Sequence, residues 1–259
     1  AILEIDGISS KISNDSDDKE RLSVILEELK HHLRYQAPTE SWESFSGKIK
    51  ILGCIIEEYI EGQNKQSPSV QGMIFDDGST KIVSSHEQIL GGNDDQVYVG
   101  CRFPCDSDYR RILHEYTKEI ADFLAKKGAR GRFGVDFICV PLDFDGEWDI
   151  YALEINLRQG GTTHPYETLH LLTDGDYSEA DGIYTDYKGE EKYYFASDNL
   201  RKEEYCGLLP SDLMTIIGNH ELLFDHDTHK GCVFHLMGAL SQYGKLGITC
   251  ISNSLEEAR

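Results

Sequence analysis

The sequence predicts an α+β fold. Three observations carry that expectation: strand-like runs come in hairpin pairs, amphipathic helices separate groups of strands, and no strict βα alternation builds a doubly wound sheet. In chain order, Ala1 to Ile5 reads as a short strand ending in a turn at Asp6-Gly7, followed by the polar connection SSKISNDSDD. Lys19 to Gln36 sets Leu22, Ile25, Leu26, Leu29 and Leu33 at helical spacing, with Asp17 or Asp18 near the N-cap. Pro38 to Gly47 reads as a loop and Lys48 to Glu57 (KIKILGCIIE) as a largely buried strand. Ser69 to Phe75 and Thr80 to Ser84 are strands joined by Asp76-Asp77-Gly78, a hairpin signal. Gln96 to Phe103 is a further strand, and Ser107 to Lys127 a helix stopped by Gly128.

Arg132 to Val140 and Trp148 to Asn156 form a second hairpin around DFDGE. Gln159 to His164 is a tight polar loop, after which Pro165 opens a short helix ending near Leu172. From Thr173 the chain turns acidic and Tyr-rich, as a loop and a hairpin across Lys188-Gly189. A helix over Pro210 to Ile217, strand-like GCVFHLMGAL and GITCIS, and a helix from Ser254 complete it.

The 259 residues carry 25 Lys+Arg against 46 Asp+Glu, a net charge of −21 that argues against broad nucleic-acid or anionic-membrane binding. With 39% apolar residues the chain is nonetheless a folding one, not an acidic tail. Its longest low-charge stretch, His235 to Ser252, is broken by Lys245 and polar residues, so no membrane span is expected. AILEIDGISS lacks the layout of a signal peptide, and the absence of an initiator Met fits a segment of a longer protein. Seven scattered cysteines without a CxxC pair read as reduced thiols, which points to a cytoplasmic location.

The chemistry concentrates between Gly131 and Pro165. Glu154 and Asn156, two apart on a strand, project from one side. The midpoint of 136 and 154 falls in the DFDGEW turn, which sets Asp136 directly opposite Glu154. Facing carboxylates repel unless a cation fills the gap. Two carboxylates and an amide oxygen are hard ligands suited to Mg²⁺ or Mn²⁺, with phosphate oxygens completing the octahedron. The plainer alternative is a solvated hairpin face. Against it stands LRQGGTTHP, which brings Arg158, two glycines and two hydroxyls immediately after the carboxylates, where backbone N–H groups can approach an anion.

GRFGVDFI…WDIYALEINLRQGGTTHP resembles the C-terminal lobe of the ATP-grasp superfamily. SPSVQ, HEQIL, YVGCRFP, EINLRQGGTTHP, YYFASDNL and FHLMGAL…GKLGITCI are similar to the pheganomycin-type peptide ligases and the ATP-grasp segment of IQ domain-containing protein H. The resemblance implies a two-lobed fold of mostly antiparallel sheets flanked by helices, partial at the N-terminus. Its nucleotide- and metal-binding region would be 1–175, with 1–60 as first lobe and 61–175 as second, and 176–259 a C-terminal extension packed on it. It implies ATP and Mg²⁺ or Mn²⁺ as cofactors, with Asp136, Glu154 and Asn156 as metal ligands. Arg158 would meet the transferred phosphoryl group or acyl phosphate. Glu57, Glu58, Tyr59 and Ile60 resemble the hinge that binds adenine and ribose, and Arg102 in GCRFP is a phosphate candidate.

The implied activity is a carboxylate–amine ligase working through an acyl phosphate, with a small acid and an amine as substrates. Calmodulin would be a partner through a region outside this segment. One departure keeps catalysis open. Where active relatives carry a phosphate Lys and a Gly-rich flap, this chain has ILEIDGISS, with Glu4 at the Lys position. The alternative is therefore a non-catalytic regulatory or partner-binding module, with Lys11 a weak substitute for the missing cation. His164 reads as a substrate or helix-cap residue, and His220, His226 and His229 invite a zinc reading that lacks HExxH spacing.

Overall fold

The computed structural model describes residues 1–3, 11, 17–35, 39–91, 97–142 and 146–259. They divide into two compact units, Ala1–Glu61 with Gly91–Val97, and Gly62–Leu90 with Tyr98–Arg259. Glu4, the Asp6-Gly7 turn and the DFD of the second hairpin turn fall outside the described residues.

In the first unit β1 (Ile2–Leu3) pairs antiparallel with β2 (Leu33–Arg34). Between them in sequence runs α1 (Asp18–His32), started by Asp17, whose carboxylate accepts the Glu20 N–H at 2.8 Å. The expected loop 38–47 and strand 48–57 are replaced by a helix, α2 (Trp42–Leu52). Its physical reasons are in the sequence. The Ser41 hydroxyl caps the N-terminus by accepting from the Ser44 N–H at 3.3 Å, and Phe45, Ile49 and Leu52 recur at helical spacing. Gly53, at φ 76°, closes the last turn with a conformation other residues adopt at a cost. The local alternation of Ile49 and Ile51 imitates a strand inside this frame. Neither α1 nor α2 contains a buried residue.

The second unit is built on one sheet. Its strands are β3 (Pro68–Ile74), β4 (Thr80–Gly91), β5 (Val97–Phe103), β6 (Gly131–Pro141), β7 (Trp148–Asn156), β10 (Tyr193–Arg201), β11 (Gly231–His235) and β12 (Lys245–Ser252). β8 (Asp176–Tyr177) and β9 (Tyr184–Thr185) pair separately. The order is β11-β12-β10-β5-β4-β3-β6-β7, so residues beyond 176 supply three strands of the sheet that also holds the 131–156 hairpin. The β3–β4, β3–β6, β6–β7, β5–β10, β10–β12 and β11–β12 ladders are antiparallel.

The core is aromatic. Phe103 on β5 stacks face-on against Tyr194 on β10, with ring centroids 4.8 Å apart, and meets the rings of Tyr166, Tyr177 and Tyr184. Helix α3 (Ser107–Lys126), capped by Asp106, buries Tyr109, Leu113, Thr117 and Ala121 along one i, i+4 stripe. Helix α4 (Thr163–Thr173) begins two residues before Pro165, so that proline sits inside the first turn, where its lack of an N–H is still harmless.

After β9 the chain makes a tight turn in which Asp186 accepts the N–H groups of Lys188 and Glu190, both at 2.9 Å. Asp186 is buried against the Lys192 ammonium (3.4 Å) and His229 (2.7 Å). Lys192 also donates to Asn253 Oδ1 at 2.6 Å. Three distant segments are thereby tied around one buried charge. Helix α5 (Pro210–Asn219) follows. The expected strand GCVFHLMGAL stops at His235, turning at Leu236 (φ 55°) into a helical turn and α6 (Leu240–Tyr243). Helix α7 (Leu255–Ala258) is capped by Ser254. Among the described residues no helix is long and apolar enough to cross a membrane.

Candidate functional site

The β6–β7 hairpin brings together the two carboxylates that the sequence set opposite each other, with the Asn156 amide beside them. Asp136 lies across from Glu154, and Gly134 across from Asn156. A β-bulge does this. From the turn, Pro141 pairs with Trp148 and Phe137 with Ala152; a register shift then precedes the Asp136–Glu154 pair. Had the ladder run on unshifted, Asp136 would face Leu153 and Glu154 would point to the other side of the sheet. On the other flank of β6, β3 sets Ser69 opposite Asp136 and Gln71 opposite Gly134. A Cβ at 134 would lie 2.9 Å from the buried Gln71 amide and displace it from its bond to Ser69.

These residues line a cavity of about 180 Å³, together with Gln88, Tyr98, Arg158 and the Gly160-Gly161-Thr162 loop. Gln88 Nε2 donates to Asp136 Oδ1 at 2.9 Å, and Asn156 Nδ2 to Asp136 Oδ2 at 3.1 Å. Asn156 thus keeps its amide oxygen for another partner. Burial pushes the Asp136 carboxyl above its ordinary value and the Glu154 charge adds to the rise, while Ser69, Gln88 and Arg158 oppose it. Two charges facing each other at roughly 5 Å repel by about 3 kcal/mol at an effective dielectric of 20. A divalent cation turns that repulsion into attraction.

The donor set fits such an ion: two carboxylates and an amide oxygen, all hard, leave room for water and phosphate oxygens as Mg²⁺ prefers. Among the described residues no group of three or more His, Cys, Asp or Glu side chains could hold a metal by itself. The zinc reading of His220, His226 and His229 fails on geometry, since His229 is buried with its Nδ1 on Asp186.

The other expected residues are distributed differently. Arg158 lines the cavity and Arg102 does not. Arg102 pairs with Phe195, one residue along from the Phe103–Tyr194 pair, and its charge acts on Glu87. Glu57, Glu58, Tyr59 and Ile60 belong to the first unit, in a stretch after α2 that joins no ladder. Lys11 is held by Glu28 of α1 at 2.7 Å. His164 meets the His235 ring at a tilt, ring centroids 4.3 Å apart. Ser69, Gln71, Gln88 and Tyr98 were given no role by sequence reasoning. The strings SPSVQ and HEQIL contain three of them, yet only the fold shows that they converge.

The family described as IQCH-like, ATP-grasp matches residues 7–178. The chain belongs to this ATP-grasp family. Residues 212–259 further match the PGM1 C-terminal domain. L-propargylglycine–L-glutamate ligase of Streptantibioticus cattleyicolor is 34% identical over 216 residues, covering 83% of this chain and 43% of the ligase. The chain therefore spans less than half the length of that relative. Among solved structures, the biotin carboxylase domain of Hydrogenobacter thermophilus 2-oxoglutarate carboxylase, in complex with ADP, magnesium ADP and bicarbonate, aligns with a TM-score of 0.50 at 12% identity. That alignment covers 81% of this chain and 46% of the other. An ADP complex of N5-carboxyaminoimidazole ribonucleotide synthetase aligns at TM-score 0.49 and 15% identity, over 93% and 62% of the two chains. The α+β fold with its large antiparallel sheet is that of the ATP-grasp family, whose match over residues 7–178 includes the carboxylate hairpin.

Proposed function

We propose that the protein binds ATP with Mg²⁺ or Mn²⁺ and acts as a carboxylate–amine ligase through an acyl phosphate. The supporting observation is the wall on which Asp136, Glu154 and Asn156 meet in one cavity. These three side chains would hold the cation, which when bound neutralises phosphate charge and polarises the transferred group. Arg158, at the cavity rim, counters charge on the moving phosphoryl group. Gly161 lets the backbone approach an anion closely, while the Gly160 N–H is taken by the Thr163 hydroxyl at 3.0 Å. Gln88 and Ser69 hold the Asp136 carboxylate in place. Glu57, Glu58, Tyr59 and Ile60 serve adenine and ribose in this reading, and Arg102 remains a phosphate candidate. No side-chain nucleophile is required: the substrate carboxylate takes the phosphoryl group, and an amine then displaces phosphate. Because the 34%-identical ligase is named for two amino acids, an amino-acid carboxylate and an amino-acid amine are the substrate class we propose.

Calorimetry of the full-length protein with ATP, with and without Mg²⁺, tests the reading. Binding that needs the metal and falls at least about 100-fold in Glu154→Gln and Asn156→Ala is expected, because each removes a directly coordinating oxygen or its charge. Release of ADP when amino acids are offered should vanish in Asn156→Ala. Turnover unchanged in that variant overturns the assignment, and binding without any turnover assigns a nucleotide-responsive regulator instead.

A further inference from the structure

At the edge of the sheet farthest from the carboxylate hairpin, β11 carries Cys232 directly opposite Cys250 on β12. The backbone of Cys232 is turned away from β12. Its N–H donates to the Leu222 carbonyl at 2.8 Å, and its own carbonyl accepts from the Phe224 N–H at 3.1 Å. Facing residues whose backbones do not bond each other form the close pairs of an antiparallel ladder, with Cα atoms about 4.5 Å apart. That spacing lies within the roughly 4.4–6.8 Å a disulfide spans. The two Sγ atoms are 3.1 Å apart, and both residues are half-buried free cysteines.

The remaining thiols differ. Cys101, Cys105 and Cys139 are buried, and burial pushes each up to about 12. Cys54 and Cys206 are exposed, far apart in sequence and on opposite sides of the unit division. In the facing pair, the hydrogen-bond contact between the two sulfurs pulls the Cys232 thiol below its ordinary value, while the same contact and burial push Cys250 up. Cys232 stands on the edge strand and Cys250 on a strand paired on both sides, so Cys232 is assigned as the attacking thiol.

We propose that Cys232 and Cys250 form a reversible dithiol–disulfide pair that takes a small dialkyl disulfide, of the oxidised-glutathione kind, as its oxidant. The Cys232 thiolate attacks one sulfur of that disulfide, forming a mixed disulfide and releasing one small thiolate. Cys250 then loses its proton and attacks the Cys232 sulfur. The Cys232–Cys250 bond forms, and the second small thiolate leaves. Two protein thiols are oxidised, one disulfide is reduced to two thiols, and the protons lost by the cysteines end on the departing sulfurs. The bond pins edge strand β11, three residues before His235, whose ring meets that of His164.

The test exposes the full chain to oxidised glutathione at neutral pH, blocks remaining thiols with iodoacetamide and digests without reduction for mass spectrometry. The expected result is a peptide cross-linked between Cys232 and Cys250, with loss of both alkylatable thiols and their recovery by dithiothreitol, while Cys54 and Cys206 collect single glutathione adducts. Recovery of Cys232 and Cys250 as alkylated thiols or as separate adducts, once Cys54 has reacted, overturns the proposal. In Cys250→Ser the mixed disulfide should stay trapped on Cys232. A Cys232 that remains fully alkylatable in that variant overturns the order of attack.

Discussion

The two compact units use apolar residues in opposite ways. In the first, Ile51 and Ile55 are each 84% exposed, and the leucines of α1 line a stripe that no helix residue buries completely. In the second, Phe103, Tyr109, Phe137 and Tyr194 are wholly buried around one sheet. Both contain sound local patterns, caps included. Among the described residues the first unit has one two-residue ladder, β1 with β2, whereas the second has an eight-stranded sheet around a buried core, and the metal–phosphate candidate is mounted on that part. Asp136 can face Glu154 because β3 and β7 hold its strand β6 from both flanks, while Glu154 is held by the β6–β7 ladder alone.

That contrast can be probed directly, since the chain has two tryptophans, Trp42 in α2 and Trp148 in β7. Fluorescence of Trp42→Phe reports on the second unit through Trp148, which packs edge-on against Tyr109. The largest effect is expected from Phe103→Ala, which empties the aromatic centre and costs about 4 kcal/mol in urea unfolding. An unchanged midpoint would mean that the ring cluster does not hold the sheet. Next, Lys192→Met leaves buried Asp186 without its ammonium and costs roughly 3 kcal/mol, the penalty of an uncompensated charge.

A smaller effect follows from His86, which is buried, bonded to the Tyr194 hydroxyl and held by desolvation at about 3, below its ordinary 6.5. As pH falls below 6.5 the unfolded chain binds a proton that the folded one refuses, so stability is present above 6.5 and lost as pH drops toward 3. Between pH 6.5 and 5 that amounts to roughly 1.5 kcal/mol. His86→Gln should flatten this part of the pH profile, and an unaltered slope would refute the linkage. The smallest effect belongs to Ile51→Ser, within about 0.5 kcal/mol by the Trp42 signal, because the side chain has no buried contacts to lose. A cost above about 2 kcal/mol would erase the contrast between the units.

What was legible in the sequence was local or set by a turn. Facing strands about a turn near 145 placed Asp136 against Glu154, and the answer held even though a bulge, invisible in the sequence, produces it. Helix α2 was misread because Ile49 and Ile51 alternate like a strand, while the decisive signals, Ser41 and Gly53, stand at its two ends. Ser69 and Gln88 could not be found by periodicity, since their role comes from strands that meet Asp136 across 67 and 48 residues of chain. The same holds for Lys192, whose partners Asp186, Thr228 and Asn253 converge from three segments.

The strand order carries a practical corollary for anyone dissecting the gene. The match to the ATP-grasp family stops at residue 178, yet β5 is hydrogen-bonded to β10 and continues through β12 to β11. Ending expression at that boundary would slice the sheet lengthwise, stripping β5 of a partner and baring a row of amides and carbonyls. Such a fragment would be sticky for reasons unrelated to catalysis, and its failure to bind nucleotide would say nothing about Asp136.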